Sequence, residues 1–215
     1  MSVSINLGGE SVELLPEKAI FWPAMEMLIV ADLHLGKAAT FRKLGVGIPE
    51  GNMEEDLNLL EICVKKRNAK RCLILGDLVH SGDGLTPYVL DQISKWVKRL
   101  HCPLYLTLGN HDKSLKAEKL AEWGIAASGD PLVIPPFAFC HHPPDETPDR
   151  FTMAGHIHPQ VVLKQGPDRV RLPCFHVKDQ VVILPAFGSF TGGHTISWTS
   201  NDRVFATTGT SLIEI

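Results

Sequence analysis

A chain of 215 residues, 44% apolar and 21% charged, has the proportions of a folded globular protein, which excludes a disordered or low-complexity polymer. Its length is enough to bury a core without crosslinks, and its formal net charge of −3 excludes a uniformly basic nucleic-acid binder while allowing local phosphate recognition through bound cations. Five scattered cysteines (Cys63, Cys72, Cys102, Cys140 and Cys174) with no C-x-x-C pair point to reduced thiols in a cytoplasmic protein rather than a disulfide framework.

The opening MSVSINLGGE has no basic stretch followed by an apolar one, so no signal peptide is expected. No apolar run approaches the roughly 20 residues of a membrane span, and no membrane partner is expected. Residues 2–7, 11–15 and 18–22 predict short strands separated by Gly-Gly and proline turns. Continuous apolar runs at 27–31, 72–75 and 104–108 predict strands buried on both faces. A helix is predicted to open at Asn52, with Glu55 completing a capping-box-like start and Met53, Leu57, Leu60 and Val64 on one face. A second opens at Thr86-Pro87, a capping residue followed by proline at the first helical position. Its stripe is Val89, Ile93, Trp96, Val97 and Leu100. A shorter helix is predicted from Ser114 to Trp123, stopping at Gly124. Strand and helix alternation implies βαβ units. Beyond them, 137–140, 160–165, 169–177, 180–184 and the tail 194–215 read as strands. Residues 1–215 are read as one α/β domain, a mixed sheet sandwich flanked by helices.

Of the ten histidines, seven fall in a few short clusters, and these sit just past the apolar runs. After 27–31 comes Asp32-Leu-His34, and after 72–75 comes Gly76-Asp77-Leu-Val-His80. After 104–108 comes Gly109-Asn110-His111-Asp112, after 137–140 comes His141-His142, and after 151–154 comes Gly155-His156-Ile-His158. The carboxyl ends of buried strands are where open α/β sheets place their sites. Alternation along an extended segment would aim Asp32 and His34 at one ion, with His158 beside them, and the glycines permit tight turns and close approach. Carboxylate, imidazole and amide oxygen suit manganese, iron or zinc, rather than calcium. Taken singly, each motif is a common turn or strand end; their ordered recurrence is not.

This series, D-x-H, G-D, G-N-H-[DE], H, G-H-x-H, resembles the calcineurin-like metallophosphoesterase superfamily over residues 27–158. The resemblance implies a four-layer αββα sandwich and two divalent ions, manganese foremost, with iron or zinc as alternatives. It implies that Asp32, His34, Asp77 and His158 hold one ion, and that Asp77, Asn110, His141 and His156 hold the other. His141 rather than His142 is taken as the ligand, with His142 pointing away. Hydrolysis of a phosphate ester would proceed through a metal-bridging hydroxide, with His111 as the catalytic histidine, Asn110 also touching substrate and no covalent intermediate.

Ser/Thr protein phosphatases of the superfamily carry aspartate where His80 stands, so Gly-Asp-Leu-Val-His-Ser is more similar to the double-strand-break repair nucleases, in which a second histidine partners the catalytic one. The segments Ala31 to Ala39, Phe41-Arg42, Pro49-Glu-Gly51 and Pro185 to Gly193 resemble the ligase-associated DNA damage response endonucleases, the PdeM-like subfamily. That resemblance implies cleavage of DNA phosphodiesters in a repair setting with a DNA ligase and a helicase as partners. Lys37 and Arg42 follow the first metal motif and are candidate substrate-binding residues. The cluster Lys65, Lys66, Arg67, Lys70 and Arg71 reads better as complement to a helix C-terminus, and Gly192-Gly193-His194 as a plain glycine turn. Two competing readings are a phosphodiesterase for nucleotides or other small diesters, and a non-catalytic metal-bound scaffold for a ligase or helicase.

Overall fold

The computed structural model describes residues 1–49 and 51–215. Seven strands form the first sheet in chain order: β1 (Val3–Leu7), β2 (Glu10–Leu15), β3 (Ala19–Trp22), β4 (Met27–Ala31), β5 (Arg71–Leu75), β6 (Leu104–Thr107) and β7 (Ile125–Ser128). The first four pair antiparallel through tight turns. β4 to β7 run parallel, because each return passes through a helix: α2 (Asn52–Arg67), α3 (Pro87–Arg99) and α4 (Ala117–Trp123). A short α1 (Lys37–Lys43) follows β4 directly.

The apolar runs alternate between two cores, which is why they lack a polar face. Leu28 and Val30 of β4 and Cys72 and Ile74 of β5 pack under the helices with Leu57, Leu60, Ile93 and Trp96. Met27, Ile29, Ala31, Leu73 and Leu75 face the other way, onto Phe137, Phe139, Met153 and Phe175 of a second sheet. All four α-helices contribute to the first core, so among the described residues the helical layer lies on one outer face of the paired sheets.

The second sheet contains β8 (Leu132–Ile134), β9 (Phe137–Cys140), β10 (Phe151–Ala154), β11 (Pro159–Gln165), β12 (Asp168–Lys178), β13 (Val181–Ile183) and β14 (His194–Thr195), ordered β14-β11-β12-β13-β10-β9-β8. β15 (Arg203–Thr207) and β16 (Leu212–Glu214) extend it from β12. Outside it sits a small third cluster of Val161, Cys174, Val204 and Ala206. No helix among the described residues is long and apolar enough to cross a membrane.

Helix starts follow the expected chemistry at one end only. Thr86 caps α3, its side chain accepting from the Val89 amide at 3.3 Å with Pro87 at the first helical position. At α2 the cap is Gly51, with φ 120°, and Asn52 already lies inside the helix. The capping-box expectation is therefore corrected: the chain enters α2 through a backbone angle that only glycine adopts without strain.

Candidate metal centre

Asp32, His34, Asp77, Asn110, His111, His141, His156 and His158 converge beyond the carboxyl ends of β4, β5, β6, β9 and β10. They do not converge by strand alternation. Asp32, His34, Asp77, His156 and His158 all have left-handed backbones, with φ between 48° and 69°. Such angles cost an L-residue about 1–3 kcal/mol each, and they collect where surrounding structure over-determines a site. Here the determination is a ladder beyond the strands: Asp32 N donates to Gly76 O, His34 N to Asp77 O and Leu35 N to Leu78 O.

Within 4.8 Å of one another lie donor atoms of Asp32, His34 and His158, and likewise of Asp32, Asp77 and His141. His158 Nε2 is 3.3 Å from Asp32 Oδ1 and 3.3 Å from His34 Nε2. His141 Nε2 is 3.4 Å from Asp77 Oδ2, 3.0 Å from Asn110 Oδ1 and 3.2 Å from His156 Nδ1. Asp77 Oδ2 also lies 3.7 Å from His34 Nε2, so this carboxylate stands between the two groups.

The ring nitrogens turned away from the centre reveal the tautomers. His141 Nδ1 donates to Leu75 O at 3.1 Å and His158 Nδ1 to Gly192 O at 3.1 Å. A carbonyl can only accept, so in each neutral ring Nε2 presents a lone pair inward, toward carboxylate oxygens. Lone pairs facing lone pairs at this spacing call for a cation between them. Asp32 Oδ1 is buried without a hydrogen-bond partner, a costly condition unless an ion completes it. Burial, then His158, Lys37, His111 and His80, push His34 down to about 2, holding it neutral, the form in which an imidazole can bind a metal. The residues thus fit a bound metal pair.

His111 and His80 come together as a stack, ring centroids 5.0 Å apart and 20° from parallel. His111 Nδ1 donates to the His80 carbonyl at 2.6 Å, and Nε2 lies 4.0 Å from Asp77 Oδ2. It is therefore the backbone of His80 that sets the His111 tautomer. Phe41 extends the stack, 6.4 Å from His80 at 24°. Burial and the nearby Lys37 and His111 push the His80 ring down to about 4. Asp112 does not orient His111: its oxygens accept from Val79 N at 3.1 Å and Gly109 N at 2.9 Å, tying two site loops together. Burial pushes its carboxyl up to about 6, against those two hydrogen bonds.

His141 is fully buried. His142 is exposed, yet it does not point away as expected: its ring packs on His156 with centroids 4.1 Å apart. Lys37 and Arg42 line a cleft beside His34, with Met53, Tyr88 and Phe190 opposite, and Arg42 also donates to Ile48 O at 3.3 Å. Glu50 of the Pro49-Glu-Gly51 motif lies outside the described residues. The second basic cluster is internally occupied, with Lys65 on Glu61, Lys66 on Glu17, Arg67 on Glu13 and Arg71 on Met25 O.

Sequence reasoning missed the loop 187–193. It is no plain turn: Phe187 N donates to Ala31 O and Gly188 N to Asp32 O, and Gly192 O receives His158. Asp56 of α2 anchors it by accepting from Ser189 N at 2.9 Å and Ser189 Oγ at 3.1 Å. The Pro185 to Gly193 motif was the available signal.

The family description of calcineurin-like phosphoesterases matches residues 25–202. The chain belongs to this family. It is a metal-dependent phosphoesterase with a His/Asp metal site. The crystal structure of Pseudomonas putida nuclease MPE aligns over 100% of both chains at 34% identity, with a TM-score of 0.86. An Aquifex aeolicus protein of unknown function covers 61% of this chain and 78% of its own, at 19% identity and a TM-score of 0.44. No curated protein matches the chain.

Gly76 carries one consequence for this phosphoesterase. With φ +72°, a Cβ there would lie 2.2 Å from His141 Nδ1. Gly76→Ala is expected to displace His141 and cut metal affinity by at least the 10–100-fold typical of losing a supporting hydrogen bond. Metal titration by calorimetry checks it; unchanged affinity would exclude a close-packed His141.

Proposed function

We propose that this phosphoesterase cleaves DNA phosphodiesters. Asp32, His34 and His158 would hold one ion, Asn110, His141 and His156 the other, and Asp77 would serve both, with manganese the first ion to try. The observation that carries the DNA reading is the full-length likeness to a nuclease at 34% identity. The His80–His111 pair, absent from the phosphoprotein phosphatase pattern, supports it. When bound, two divalent ions acidify a water and clamp the phosphate's non-bridging oxygens.

The chain's own residues supply the rest. Donation from His111 Nδ1 to His80 O turns Nε2 toward the centre; with the ring in its imidazolium form both nitrogens carry protons, and Nε2 can give its own to the departing ester oxygen. The Phe41–His80–His111 stack holds that ring in place. Lys37 and Arg42 stand at the mouth beside His34, positioned to meet phosphates flanking the scissile one. A repair setting with a ligase and a helicase rests on the motif resemblance alone.

The test uses manganese-loaded protein with a supercoiled plasmid and with an aryl phosphodiester. Plasmid nicking that declines steeply as salt rises, following the counterion-release law for backbone binding, is the expected result. Aryl diester turnover with an intact plasmid would replace DNA by a small diester.

A further inference from the structure

The β11–β12 hairpin has two chemically different faces. Antiparallel partners share a face, and the register pairs Gln160 with Pro173, Val162 with Arg171 and Lys164 with Arg169. Alternation therefore places Lys164, Arg169 and Arg171 together with Gln160 and Pro173. The opposite face carries Val161, Leu163 and Leu172, which pack with Cys174, Val204 and Ala206. The apolar side is the one that fixes the hairpin to the sheet, and the cationic side is left outward.

This face leads into the metal centre. Gln160 and Pro173 line one pocket with His158, Gly188, Thr191 and Gly192. Lys164, Arg169 and Arg171 are exposed, and none has an ion-pair partner among the described residues. The contrast with the C-terminal turn of α2 is direct: there Lys65, Lys66 and Arg67 are each matched by a glutamate. In a chain of net charge −3, three unmatched cations on one face of an arm that starts at a metal-site histidine form a local field of the sign that phosphates require. From Gln160 to Lys164 the arm spans roughly 13 Å at about 3.4 Å per residue, about four base-pair steps of duplex.

We propose that the Lys164–Arg169–Arg171 face tracks the nucleic-acid backbone on one side of the scissile phosphate. The proposal rests on the DNA reading above and adds to it where the strand lies. Phosphate contacts position the substrate and carry no sequence information. The face therefore acts on duplexes irrespective of sequence, and a small diester does not reach it.

The test is the salt dependence of manganese-loaded protein binding a labelled duplex, followed by fluorescence anisotropy in the His111→Ala background so that the DNA stays intact. The triple variant Lys164→Ala/Arg169→Ala/Arg171→Ala is expected to lower the slope of log K against log salt by about 2.7, at about 0.9 per phosphate lost. Without the His111 change, the same triple should turn over an aryl phosphodiester at the parent rate. A charge-matched control, Lys65→Ala/Lys66→Ala/Lys70→Ala around the C-terminus of α2, should leave the slope unchanged.

Equal loss in both triples would reduce the effect to net charge and overturn the arm. A steep slope in the parent, retained in the hairpin triple, would also overturn it while leaving the DNA reading intact. A parent that hydrolyses the aryl diester but shows no salt-dependent duplex binding would overturn both.

Discussion

Replacing His111 by alanine should lower DNA hydrolysis about 10²–10⁴-fold, the range for loss of a positioned proton donor, while the protein keeps its full metal content. The separation follows from the geometry. The carboxylate of Asp77 is tied to the backbone amide of His111 at 2.9 Å, not to the ring, so truncating the side chain spares that link. What disappears is an imidazole whose Nδ1 proton is committed to the His80 carbonyl and whose Nε2 faces Asp77 at 4.0 Å. A proton donor matters most where the leaving oxygen is a poor leaving group. The loss should therefore be larger for DNA, which expels an alkoxide, than for an aryl diester, which expels a stabilised phenolate. Turnover of both substrates, with metal content measured by elemental analysis, checks the expectation. Equal losses on both, or metal lost with activity, would make His111 a ligand or a packing residue instead.

The residues of this centre were legible because each follows a strand buried on both faces. Such a strand needs an unbroken apolar run, and the polar residue that ends the run is therefore conspicuous. Their convergence was not legible. Alternation along an extended chain aims Asp32 and His34 together, whereas both lie past Ala31 in left-handed backbone. Tertiary hydrogen bonds to Gly76 O and Asp77 O impose those angles, and no local propensity announces them. The same applies to the carbonyls of Leu75, His80 and Gly192, which fix three histidine rings. A backbone acceptor has no side-chain signature.

Short elements escaped for a different reason. The seven residues of α1, Lys37–Lys43, bury only Ala39, too little to print a 3.6-residue period. β7 is Ile-Ala-Ala-Ser, with two exposed alanines, and its pairing with β6 rather than its composition makes it a strand. The helix layer on the second sheet, implied by resemblance, has no counterpart among the described residues, where every element after Trp123 is a strand. In its place stands the cluster of Val161, Cys174, Val204 and Ala206 beneath β11.

Asp77→Ala should abolish hydrolysis and, unlike His111→Ala, should also abolish the stabilisation that metal confers. Manganese at 100 times its dissociation constant adds about 2.7 kcal/mol to the folded state for one site. For a domain of this size that is a rise in Tm of about 5–11 °C. Asp77 is the residue whose loss should erase it, because its Oδ2 lies 3.7 Å from His34 Nε2 and 3.4 Å from His141 Nε2, within reach of both donor groups. Its Oδ1 meanwhile holds the His111 amide at 2.9 Å, and Gly109 is kept bare beside it, where a Cβ would come within 2.2 Å. Removing the carboxylate takes away the anion that faces the Nε2 atoms of both His34 and His141 and frees the loop that carries Asn110. Thermal unfolding with and without manganese separates the cases. A full metal-dependent shift in Asp77→Ala would end the shared-ligand assignment. A shift lost in Asp77→Ala beside an unaffected His111→Ala rate would keep the metal assignment and remove His111 from the chemistry.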